Sequence, residues 1–205
     1  MSPHLAWYVA RAAGITAWAL LSVSVVWGLL LSTRAPRNAP APWLLDLHRF
    51  LGGLAVIFVG VHLAALVGDD YTHWGVRDLF VPMAAKWHPV PVTWGIVACY
   101  LLLAVELTSL ARNTLPKQTW HAIHMSSYPL FVIATVHLWL AGTDAHNPIL
   151  DVALAVAVFA VVVLTTIRVT LHRLGFKNLV TAGRAASTPP RAPEAAARRT
   201  AAARH

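Results

Sequence analysis

Residues 46–66 read DLHRFLGGLAVIFVGVHLAAL, and beyond Arg49 no charged side chain follows until Asp69. A bilayer core about 30 Å thick needs roughly 20 mostly apolar residues per helix. The run from Phe50 to Gly68, starting as early as Trp43, meets that length. It must be helical, because a lone strand leaves its backbone groups unpaired in lipid. His48 and His62 fall inside it. An ionisable side chain is costly in hydrocarbon, so both are functional candidates.

Outward from this segment the pattern repeats. Ala12–Thr33 carries no charge, Val90–Leu110 holds only Glu106 near its end, and Trp120–Thr143 and Ile149–Ile167 complete a set of five predicted spans, with Asp151 in the first turn of the last. Of the 205 residues, 58% are hydrophobic and 12% charged, with mean hydropathy +0.61. A soluble domain carries about 25% charged residues. The expected fold class is therefore an all-α membrane protein, a five-helix transmembrane bundle. The first run is longer than a signal-peptide core and has no basic segment before it, so it is expected to be a span rather than a leader. The single cysteine, Cys99, excludes an intrachain disulfide framework and any CxxC site.

The net charge of +8 is not a nucleic-acid signature, and no nucleic acid is expected as a partner. From Arg168 onward eight Lys or Arg stand against Glu194 alone, which places +7 of the charge there. Lys and Arg in short loops mark the cytoplasmic side. Arg34 and Arg37, Arg112 and Lys117, and the tail with Arg168, Arg173, Lys177 and Arg184 all fall on one side of a five-span chain. Asp69, Asp70 and Asp78, with Arg77 and Lys86, and then Asp144 fall on the other. The expectation is a multi-pass plasma-membrane protein with its N-terminus outside. Two regions follow: a membrane domain over 1–177 and a basic cytoplasmic tail over 178–205, too poor in large apolar residues to order itself, though it can meet anionic lipid. Trp74, Leu79, Phe80, Val81 and Trp87 predict a short interfacial segment in the long second loop.

The histidines define levels. His48 and His62 are fourteen apart on the second span; His124 and His137 are thirteen apart on the fourth. At 1.5 Å per residue these intervals are about 21 and 19.5 Å. The two spans run in the same direction, so His48 can lie level with His124 near the cytoplasm, and His62 with His137 near the outside. Opposed histidines across a helical bundle form the axial pair of a b-type haem and leave no open position, which favours electron transfer. The angles fit less well. Fourteen residues return His62 to within about 40° of His48, but thirteen leave His137 about 140° from His124 on an ideal helix. Pro129 between them can re-aim the helix by removing a backbone bond. Angle alone does not choose the His124–His137 pair, but depth favours His124 over His121, which would widen the interval to about 24 Å; lone membrane histidines also serve as hydrogen-bonding partners between helices. A zinc or copper site would need clustered ligands, and only His121 and His124 are near neighbours.

The stretches 46–66 and 120–144 (WHAIHMSSYPLFVIATVHLWLAGTD) resemble the ferric reductase-like transmembrane domain family, which includes NADPH oxidases, ferric reductases and the haem subunit of a bacterial methionine sulfoxide reductase system. The resemblance covers about Tyr8 to Arg173. It implies two b haems between the second and fourth helices, the inner on His48 and His124 and the outer on His62 and His137. It also matches Arg11 to the family's arginine near the outer haem. Arg49 is a candidate for an inner propionate, and Gly52 and Gly53 leave room for a porphyrin near His48. Glu106 is expected to pair with Arg49 or Arg112. No GxGxxG segment is present, so hydride transfer from NADPH is not expected of this chain alone.

The resulting expectation is a dihaem b-type cytochrome subunit. It would take electrons from a separate cytoplasmic flavoprotein or from quinol and pass them to an outer acceptor, either ferric iron or a flavin- or molybdenum-containing protein. The alternative is a haem-free transporter or scaffold whose histidines serve proton or metal-ion movement.

Overall fold

The computed structural model describes residues 5–33, 42–69, 74–144, 147–173 and 175. Arg34, Arg37, Asp70, Lys177, Arg184 and the tail over 178–205 lie outside the described residues. Among those described, every regular element is helical. Five helices are long and apolar enough to cross a membrane. They are α1 (Leu5–Thr33), α2 (Pro42–Val67), α4 (Pro89–Leu110), the pair α5 (Lys117–His124) and α6 (Ser127–Ala141), and α7 (Pro148–Arg173). The short α3 (Val76–Phe80) lies in the second loop, where an interfacial segment is predicted. The described residues up to Thr165 form one compact unit.

Local chemistry sets the helix ends. Pro89 opens α4 where its missing N–H has no intrahelical role, after His88 in the left-handed region at φ 42°. Asn147 begins α7: its side-chain oxygen accepts from the Ile149 N–H at 3.0 Å and its carbonyl from Asp151 at 2.9 Å, with Pro148 at the first helical position. The second loop is tied to α4 by Tyr100, whose hydroxyl donates to the Phe80 carbonyl, and by the Met83 N–H, which donates to Thr93 Oγ1 at 2.8 Å.

The fourth span, expected over Trp120–Thr143, is found over Lys117–Ala141 and is interrupted within. It breaks at Met125 and Ser126. Pro129 has no N–H for the Met125 carbonyl, which accepts instead from Tyr128 at 3.3 Å, while Ser126 N–H bonds Ile123 at 3.0 Å. These are tight three-residue closures, and they reset the azimuth of everything after them.

Packing follows two antiparallel pairs, α1 along α2 and α4 along α6, with α1 also meeting α6. Ala10, Ala13 and Ala17 are buried on α1, and small residues let membrane helices approach closely. Trp27 Nε1 donates to the Leu44 carbonyl at 3.0 Å and fastens the end of α1 to the start of α2. The core cluster joins Leu21, Val25 and Leu29 of α1 to Ala98 and Leu102 of α4, Leu130 and Phe131 of α6, and Val161 of α7. Phe50, Ile57 and Phe159 point outward at 61–70% exposure, as lipid-facing residues do.

Leu130 is 2% exposed at the centre of this core. Leu130→Ala leaves a cavity costing about 2–5 kcal/mol. Thermal unfolding in detergent should show a clear fall in midpoint for Leu130→Ala and almost none for Phe159→Ala.

Candidate functional site

The candidate histidines lie at two levels, an upper one with His62 and His137 and a lower one with His48 and His124. At the lower level the His48 and His124 rings face each other across the bundle, with ring centres 6.1 Å apart and planes at 77°. His121 instead contacts Trp120, at 6.2 Å. At the upper level His62 and His137 line one cavity of about 410 Å³ together with Gly14, Trp18, Gly95 and Arg11. Trp74 and Trp87 of the second loop close part of its wall.

Each ring is held through Nδ1 by a helix other than its own. His62 donates to the Ala10 carbonyl at 2.7 Å and His137 to the Pro91 carbonyl at 2.8 Å. His48 Nδ1 lies 3.3 Å from Ser24 Oγ, and His124 Nδ1 lies 3.5 Å from Ser109 Oγ. Thus α1 supplies both Nδ1 partners for α2, and α4 both for the broken fourth span. With the proton on Nδ1, the free lone pair is on Nε2, the arrangement that metal-binding histidines adopt through their outer hydrogen bonds.

Glycines provide the space. A side-chain carbon on Gly14 would stand 3.0 Å from His62 Nδ1, and one on Gly28 would stand 3.1 Å from His48 Cε1. On Gly95 it would come within 2.5–2.8 Å of Cε1, Nδ1 and Nε2 of His137. In all three places the glycine follows the Nδ1 acceptor by four residues: Ala10 and Gly14, Ser24 and Gly28, Pro91 and Gly95. One helical turn therefore carries both the acceptor and the gap beside it. Sequence reading missed these residues. The available signal was the fourteen-residue repeat in α1, which matches the interval between His48 and His62 on α2.

The charged candidates are placed differently from one another. Arg11 stands at the cavity mouth, where Nε and Nη2 both bond the Asp144 carboxylate and the guanidinium lies 5.1 Å from the Trp7 ring. Arg49 pairs with Asp46 at 3.5 Å, both well exposed. Glu106 pairs with neither Arg49 nor Arg112, a correction to the expected ion pair. Its carboxylate fills the space a Gly52 side chain would take, because its azimuth on α4 aims it at α2. Gly53 has nothing within 4 Å of its missing side chain. Arg112 lies over the Trp120 ring at 4.8 Å, and Trp120 stacks on His124 at 5.1 Å with 21° between planes. Among the described residues no three His, Cys, Asp or Glu side chains converge as a metal cluster would.

Gly95→Ala should displace the His137 ring and lower the thermal midpoint, since backbone and imidazole cannot both stay in place. Gly60→Ala, with open space around it, should be neutral or stabilising by up to about 1 kcal/mol through helix propensity. Equal midpoints for the two variants would refute the seating of His137 on Gly95.

The family model described as ferric reductase like transmembrane component matches residues 13–135, more than half of the chain. Similar curated proteins carry the name protein-methionine-sulfoxide reductase heme-binding subunit MsrQ. The one from Xanthomonas oryzae pv. oryzae (strain MAFF 311018) is 30% identical over 52% of this chain and 48% of its own length. That from Azospira oryzae is 31% identical over 57% and 49%. That from Rhodospirillum rubrum is 25% identical over 69% and 71%. The chain thus spans about half the length of the first two relatives. No solved structure gives a significant match. Five apolar spans and the family match make this a multi-pass membrane protein. It belongs to the ferric reductase-like transmembrane component family.

Proposed function

We propose that this chain is a haem-binding electron-transfer subunit carrying two b haems, one between His48 and His124 and one between His62 and His137. The observation that carries the reading is the lower pair. Two imidazoles opposed across a helical bundle would hold a haem iron between them, and that haem would supply one-electron transfer. The His48 and His124 centres are 6.1 Å apart. Backbone carbonyls take Nδ1 of His62 and His137 and leave their Nε2 free to ligate, while Nδ1 of His48 and His124 lies beside serine hydroxyls, and relatives named as haem-binding subunits support the same cofactor.

A bis-histidine haem supplies reversible one-electron transfer without an open coordination site. The protein's part is to hold and insulate. Ala10 and Pro91 fix the upper imidazoles, Gly14 and Gly95 give them room, and Arg11 offers positive charge at the upper rim as Arg49 does at the lower. Between the levels lie Leu21, Ala55, Leu102, Leu130 and Phe131, all buried. This apolar layer separates two levels whose histidines are about 21 Å apart along α2. Electrons would enter at the lower level, on the cytoplasmic side of the plasma membrane, from a separate flavoprotein or quinol. They would leave at the upper level to an outer acceptor, either ferric iron or a flavin- or molybdenum-containing protein. The bundle over 1–177 would be the haem domain, and the segment over 178–205 a basic cytoplasmic tail.

The purified chain should show split b-type bands on reduction and two haems per chain by pyridine haemochrome assay. His62→Ala and His137→Ala should each leave one haem, still reducible from the cytoplasmic side. His124→Ala should lose one haem and His121→Ala should keep both. A chain that binds no haem, or loss at His121 with retention at His124, overturns the assignment.

A further inference from the structure

Beside the lower histidine pair stands a group of donors that the proposed ligation does not use. Trp120 precedes His124 by one turn, and its indole stacks on the imidazole at 5.1 Å. Its Nε1–H is buried and has no acceptor among the described residues. A buried donor without a partner costs about 1–3 kcal/mol, so a site that keeps one is built for an acceptor the polypeptide does not supply. The Arg112 guanidinium lies over the same indole at 4.8 Å, adding up to five N–H donors and a full charge.

We propose that Trp120 Nε1–H and Arg112 form a receptor for an anionic oxygen, and that its occupant is a carboxylate on the edge of the haem held by His48 and His124. The inference rests on the proposed haem ligation. An indole N–H donor with a cation over its own ring favours an anion over a carbonyl, because charge-assisted bonds are roughly twice as strong as neutral ones. The stack couples this receptor to the ligand: a carboxylate seated there fixes the indole plane, and the indole plane fixes His124. The same chemistry could be met by a lipid headgroup phosphate, so the test separates the two sources.

Transfer of haem from the full-length protein to excess apomyoglobin resolves two release phases, and the phase that persists in His62→Ala belongs to the lower level. Trp120→Phe keeps the stack and removes only the N–H; Arg112→Gln removes the charge; Lys117→Gln removes a charge nearby on the chain. Trp120→Phe and Arg112→Gln should each accelerate the lower-level phase about tenfold, the loss expected for one charge-assisted hydrogen bond. The other phase should not move, and Lys117→Gln should change neither. Reconstitution with haem dimethyl ester, which has no free carboxylate, should erase the difference between the variants and the parent. Unchanged lower-level release in both variants overturns the receptor. Acceleration that persists with the ester overturns the haem-carboxylate occupant and assigns the donors to lipid phosphate or packing. Absence of any haem band in the parent protein overturns the proposed function, and the inference with it.

Discussion

An imidazole inside a lipid-spanning bundle is tolerable only when its N–H finds an acceptor, and in lipid the available acceptors are on neighbouring helices. The rest of this structure depends on that constraint. The four histidines sit on α2 and on the α5–α6 span, while their hydrogen-bonding partners sit on α1 and α4. The helices that present histidines are therefore pinned by helices that present none. A helix with so few buried positions as α2, only Leu44, Gly52 and Ala55, depends on this docking for its rotation about its own axis.

The antiparallel register of α1 on α2 does two jobs. Residues of α1 and α2 that meet have numbers with a nearly constant sum, so Ala10 and Gly14 meet His62 while Ser24 and Gly28 meet His48. Shifting the register by one turn would lose both acceptors and both gaps together. The α4–α6 pair cannot use the same rule, because thirteen residues do not return a helix to its starting azimuth. The break at Met125 and Ser126 supplies the correction, so that His124 faces His48 while His137 lines the upper cavity with His62.

The sequence reveals these features unevenly, for physical reasons. Five spans are readable because lipid imposes a minimum length on any uninterrupted apolar run, and the structure starts α2 at Pro42 and α4 at Pro89, close to the expected ends. The levels of the histidines are readable because rise per residue is fixed. Azimuth is where reading from sequence stops. Depth alone matches Glu106 to Arg49 or Arg112, yet its direction on α4 turns it toward Gly52. Pro129 marks a redirection in the sequence, but not that the interruption falls at Met125 and Ser126. Gly14, Gly28 and Gly95 acquire meaning only once the neighbour of each helix is known. The bond between Arg11 and Asp144 joins residues 133 apart, and no local pattern announces it.

The two levels also differ in kind. At the upper level the acceptors are backbone carbonyls, which can only accept, so His62 and His137 are each held in one tautomer by atoms that cannot turn. Arg11 and Asp144 close the same end with a bond from α1 to the loop before α7. At the lower level the partners are the Ser24 and Ser109 hydroxyls at 3.3 and 3.5 Å, longer contacts to groups that can donate or accept. A hydroxyl at that distance does not fix a ring plane. Trp120 does so instead for His124, since a near-parallel stack at 21° resists rotation of the imidazole about its bond to Cβ. Backbone geometry thus orients both rings of the upper pair, and an aromatic side chain orients His124 in the lower one. The lower level is consequently the one whose ligand plane responds to whatever binds beside it.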